Sequence, residues 1–182
     1  MKKQFFLILI LFLALILRLH GINWDQGFHL HPDERMLIMV AERVHFFNQL
    51  NPDFFNYGSL PIYLLKGLSQ LIDWLFNTSL SNYRGMLYLG RFLSTLSDLI
   101  TIFLIYKISQ LIQANLEKKT KGSNIKQPQG LFKFINPFFY AIAFFPIQNS
   151  HFFISDVFLT TFTTLLIFLL LKYLKEKNNI WF

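Results

Sequence analysis

Four apolar runs of roughly membrane-crossing length, with lysines gathered at matching ends, constrain this chain more than any other feature. They cover residues 5–17, 92–112, 134–147 and 157–174, against the roughly 20 apolar helical residues needed to cross a hydrocarbon core. The first run reaches that length only when extended through Arg18 and Leu19, with the Arg18 head drawn along its aliphatic stem to the far interface. No small-x-small cleavage pattern follows, so this run reads as an uncleaved signal anchor. The third run is the shortest. Apolar residues fill 53% of the 182 positions and 23 are phenylalanine, more than one small soluble core can bury. The expected class is all-α: a polytopic membrane protein with about four transmembrane helices and an interfacial helical outer loop.

Charge fixes the direction of threading. Lys2 and Lys3 precede the first run. Lys118, Lys119, Lys121, Lys126 and Lys133 lie between the second and third, and Lys172, Lys175 and Lys177 close the fourth. With four spans all three clusters fall on one side, which the positive-inside rule makes the cytoplasm. The expectation is one multi-pass domain over residues 1–182 in the cell membrane, N-terminus cytoplasmic. Residues 20–90 form an outer loop, residues 148–156 a short outer connection, and residues 114–133 a cytoplasmic loop whose stretch 118–130 reads as mobile. Leu60–Phe76 is apolar enough to suggest another span, yet it carries Lys66, Gly67, Ser69, Gln70 and Asp73 and would place the lysine-rich loop outside. It is read as an amphipathic helix in the outer interface. The net charge of +7 belongs to the lysines flanking apolar runs. No nucleic-acid-binding motif accompanies it, so nucleic acid is excluded as a partner. Without cysteine there is neither a disulfide framework nor a thiolate metal site.

The chemistry-bearing residues cluster just after the first run, in His29-Leu30-His31-Pro32-Asp33-Glu34-Arg35. Proline at the first position and acids in the first turn start a helix, and such carboxylates contribute about 0.3–1 kcal/mol there with no chemistry required. Asp156 lies on the same outer face, as a helix cap or as a second functional acid. Asp98 inside the second run is costly alone, and pairs with Arg91 or with a residue outside this chain. His29 and His31 beside the acids suit a divalent ion, although their spacing matches no closed zinc site. No cofactor is certain, and a divalent metal stays open.

In this order Pro32-Asp33-Glu34, then Gly90-Arg91-Phe92-Leu93-Ser94, then Pro146 and Ser150-His151 with Asp156 resemble the GT-C superfamily of polyprenyl-phosphate-dependent glycosyltransferases. The nearest likeness is to bacterial relatives of protein O-mannosyltransferases and of the lipid A aminoarabinose transferase, over essentially the whole chain. The resemblance implies transfer of a hexosyl or pentosyl unit, with inversion, from a polyprenyl-phosphate sugar to a protein or glycolipid acceptor on the outer face. It implies Asp33 as the base, Glu34 orienting it or touching the acceptor, and Asp156 across the site. His31, Arg35, Arg91 and His151 are the implied substrate-binding residues, the last two towards the departing phosphate. Tyr57-Gly58-Ser59-Leu60-Pro61 stands where many relatives carry Pro-Pro-Leu. The family's core also has more spans than the four read here, so an N-terminal fragment or truncated product is expected. The alternative class is a non-catalytic membrane subunit or transporter fragment whose acids face a water-filled cavity.

Overall fold

Every apolar run is helical, and the polar stretches and prolines decide where each helix stops. A computed structural model describes residues 2–119, 130 and 132–180. Among them the chain forms α1 (Lys2–Leu19), α2 (Pro32–Arg43), α3 (Leu60–Phe76), α4 (Tyr83–Lys119), α5 (Phe132–Ile142), α6 (Phe144–Ser150) and α7 (Ser155–Ile180). Two stretches are long and apolar enough to cross a membrane, Tyr83–Leu116 in α4 and Ser155–Glu176 in α7, while Gln4–Leu19 of α1 is shorter. The 37 residues of α4 rise about 55 Å, well beyond a hydrocarbon core.

The apolar run at 134–147 is two helices, which corrects the expectation of one continuous segment. Ala143 between α5 and α6 is extended, with φ −67° and ψ 134°. Pro146 is the cause: it has no N–H to offer the Ile142 carbonyl, and its ring crowds that same oxygen. The loop expected at 114–133 is also shorter, because α4 runs on to Lys119 and α5 begins at Phe132. Most of the stretch read as mobile lies outside the described residues.

Helices α1 and α5 run in one direction, α4 and α7 in the other. At one end Phe6 meets Phe134 at 5.9 Å between ring centroids, and Phe134 stacks on Tyr106 at 5.4 Å. Towards the other end Arg18 reaches both Asp98 of α4 and the Ala141 carbonyl of α5. Helices α4 and α7 are parallel neighbours joined by the Thr101 and Thr161 hydroxyls, 2.9 Å apart. Where they start together, a Cβ added to Gly90 would stand 2.6 Å from Phe153 Cγ. Glycine at 90 is what lets that buried ring lie against α4.

One apolar core lies where α2 and α3 cover the start of α4, built from Leu37, Ile38, Ile62, Leu65, Leu87 and Phe153. A smaller one, with Ile10, Ala14, Ile102 and Ala141, joins α1, α4 and α5. The outward faces of α1 and α7 remain apolar, Phe5 being 63% and Leu159 66% exposed. Polar residues such as Ser94, Thr95 and Asp98 are turned inward instead.

Arg18 does not snorkel. It is fully buried, bonded to Asp98, to Ala14 O at 3.2 Å and to Ala141 O at 2.9 Å. Asp98 also accepts from the Tyr140 hydroxyl at 2.9 Å. Its partner is therefore Arg18 and not Arg91, and each buried charge is offset by its opposite.

Candidate active site at the carboxylate end of the bundle

Pro32 occupies the first turn of α2, and His31 caps it by accepting the Glu34 N–H at Nδ1 (3.4 Å). Asp33 and Glu34 then diverge, since neighbours on a helix point about 100° apart. Asp33 stays half-exposed while Glu34 is 1% exposed.

Glu34 accepts Arg91 Nε at Oε1 (2.9 Å) and Nη2 at Oε2 (2.7 Å), and its Oε1 also takes the Phe153 N–H at 2.8 Å. Arg91 donates further to Asp25 at 3.0 and 2.9 Å and to the Ile22 carbonyl at 2.7 Å. All five guanidinium N–H groups are thus engaged, and the Trp24 ring centroid lies 5.7 Å from its carbon. Burial works to raise the Asp25 pKa, but the Arg91 hydrogen bonds and the Gly27 amide outweigh it and hold the carboxyl below its ordinary value. One buried cation therefore ties together the turn after α1, the start of α2, α4 and the turn before α7. The expected contact of Arg91 with a lipid phosphate has no free donor to make it, and Glu34 is equally out of an acceptor's reach. Both form the floor of the site.

Above that floor, Asp33 Oδ1 accepts the hydroxyl of exposed Tyr57 at 2.9 Å. Asp156 is exposed in the first turn of α7. The Tyr57 pKa is raised first by the hydrogen bond to Asp33, then by the Asp33 charge and slight desolvation, and also by the charge of Asp156. Two acids far apart in sequence thus act on one hydroxyl. Beside them His31 lies against Phe152 with ring centroids 4.3 Å apart, and Phe152 meets Trp24 edge-on at 5.3 Å. These rings form an aromatic wall, with Trp24 41% exposed.

The remaining expected residues lie elsewhere. The His151 ring lies between two backbone carbonyls, Nδ1 2.7 Å from Ile147 O and Nε2 2.7 Å from His20 O, and so sits between α6 and the end of α1. Arg35 is exposed, but two positions past Asp33 it points about 200° round the helix. His29 packs on Tyr83 at 4.3 Å, away from the His31 stack. Among the described residues no three of His, Asp and Glu are grouped to hold a metal.

Sequence reading missed Asp25, Tyr57 and Trp24. Asp25 had a signal: it follows Arg18 by seven residues as Asp98 follows Arg91, in the same order of charge, so two antiparallel segments can pair each arginine with the other's aspartate. Tyr57 and Trp24 sit in irregular loops with no periodicity to find them. Comparison with known protein families, with curated proteins and with solved structures finds no match to this chain.

Proposed function

We propose that the chain is a four-span membrane protein, N-terminus cytoplasmic, that serves inverting transfer of a sugar from a polyprenyl-phosphate donor to an acceptor hydroxyl on the outer face. The apolar outward faces and inward polar groups support a bilayer as solvent. The alternating helix directions support four crossings, with α5 and α6 together serving as the third. Lys107, Lys172 and Lys175 then share the cytoplasmic end, opposite Asp33 and Asp156.

In this reading Asp33 accepts the proton of the acceptor hydroxyl as its oxygen bonds the anomeric carbon, and polyprenyl phosphate departs with the electrons of the broken bond. Tyr57 holds the Asp33 carboxylate in place, and Asp156 orients the acceptor. The Trp24–Phe152–His31 wall offers ring faces to a sugar. Arg35 turns to the other side of α2 from Asp33 and takes no part in this reading. Glu34, Arg91 and Asp25 keep these parts in register from beneath. The observation that carries the reading is the half-exposed Asp33 carboxylate held by the Tyr57 hydroxyl at 2.9 Å, with the charge of Asp156 near enough to act on the same hydroxyl.

A transport reading would draw on the buried acid Asp98. Its bonds to Arg18 and Tyr140 give it a structural task instead. The test is photolabelling in membranes with a photoreactive polyprenyl-phosphate sugar. Labelled peptides from residues 20–34 and 143–156, competed by unlabelled donor, are expected. Uncompeted labelling, or labelling confined to the lysine-bearing end, would remove the proposal.

A further inference from the structure

A cleft of about 290 Å³ opens between α4 and α7 at the end of the bundle opposite the carboxylates, lined by Lys107, Gln110, Leu111, Phe168, Lys172 and Lys175. The spacing explains it. Positions 107, 110 and 111 share one face of α4, and 168, 172 and 175 share one face of α7. The two helices run parallel, are joined further up by Thr101 and Thr161, and bring these faces together.

Three ammonium groups around one opening repel each other unless an anion joins them. Glu176 lies 3.8 Å from Lys172, with both side chains more than half exposed, so that pair is weak. Lys107 and Lys175 have no carboxylate within ion-pair distance among the described residues. Lys107 rests instead over the Phe103 ring, its nitrogen 5.4 Å from the centroid. The cleft wall is mixed: Leu111 and Phe168 stand among the three lysines and Gln110, and Phe103 of α4 and half-buried Leu165 of α7 continue the same faces further along the bundle. A ligand fitting it carries a phosphate at one end and hydrocarbon running along the bundle.

We infer that this cleft is a binding site for the phosphate headgroup of an anionic glycerophospholipid, its acyl chains lying on the apolar faces of α4 and α7. A basic pocket between spans at the cytoplasmic surface suits such a headgroup, and each lysine near it is worth about fivefold in affinity. The site is separate from the carboxylate site and needs only the membrane setting, not the transfer reaction.

Native mass spectrometry of the full chain in non-ionic detergent tests it, with phosphatidylglycerol and phosphatidylcholine of identical chains as probes. Retention of phosphatidylglycerol at least about tenfold above phosphatidylcholine is expected. The triple variant Lys107→Gln/Lys172→Gln/Lys175→Gln should bring the two lipids level, and the Lys→Arg triple, which keeps the charge, should restore the preference. Equal retention of both lipids by the wild type, or an undiminished preference in the Gln triple, overturns the proposal. So does displacement of the lipid by equimolar inorganic phosphate, which would assign the cleft to a free anion. Membrane fractionation of the same protein reports separately on the bilayer setting.

Discussion

Arg18 of α1 and Asp98 of α4 form a buried ion pair, and seven residues on from Arg18 the pairing repeats in reverse, with Asp25 bonded to Arg91, seven residues before Asp98. A displacement of α1 along α4 would break both pairs and leave four charges buried. The two pairs therefore fix the antiparallel register of these segments as well as their proximity, and the second pair also sets the floor beneath Asp33.

Breaking one pair strands its partner in a dry interior, at a cost of about 3–5 kcal/mol. Arg18→Leu and Asp98→Leu should each lower the unfolding midpoint in detergent sharply. The double variant should recover much of the loss, because no unpaired charge remains. Strictly additive losses would show that the two side chains do not meet.

Gly90→Ala should destabilise by about 1–3 kcal/mol, since its new methyl would overlap the Phe153 ring. Combining it with Phe153→Ala should cost much less than the sum of the single changes. Denaturant midpoints of the four proteins in this cycle check the contact. In the Gly90-Arg91 pair the glycine thus admits Phe153, and the arginine collects the charges beneath it.

Tyr57→Phe removes an exposed hydroxyl, so stability should change by less than about 0.5 kcal/mol. Transfer should nevertheless fall about tenfold to a hundredfold, because the Asp33 carboxylate loses the group that orients it. Unchanged transfer rates would reduce Tyr57 to a surface contact.

Asp73 closes the turn from α3 to α4. Burial works against its charge, but the Ser81, Leu80 and Thr78 hydrogen bonds prevail and hold its pKa at about 2. Its ordinary value is about 3.9. Its stabilisation is thus fully present above pH 4 and is lost as pH falls towards 2. The midpoint advantage of wild type over Asp73→Asn should be constant from pH 7 to 5 and shrink below pH 4.

Much of the helical plan is readable in the sequence, and its failures have physical causes. Both limits of Leu60–Phe76 follow from its apolar pattern and the breaks around it. The start of α4 does not, because Tyr83 to Arg91 is mixed in polarity: it leaves the apolar segment and packs beneath α2 and α3, where tertiary contacts decide the helix. The α5–α6 break was present as Pro146 but outweighed by the apolar run around it. At the site, the acids of Asp33-Glu34 are conspicuous in the sequence. Their division of labour is not: one helical step separates a solvent-facing carboxylate from a buried one, and only the position of Arg91 decides which is which.

That division makes the transfer rate of Asp33→Asn the most direct test of the proposed function, measured in membranes with a labelled polyprenyl-phosphate sugar beside wild type and Glu34→Gln. Wild-type membranes should transfer the sugar, and Asp33→Asn should fold with an unchanged midpoint yet transfer about 10²–10⁴-fold more slowly. Glu34→Gln should lose stability first, through its bonds to Arg91 and Phe153. Transfer by Asp33→Asn at the wild-type rate, or none by the wild type, would contradict the assignment of Asp33 as the base.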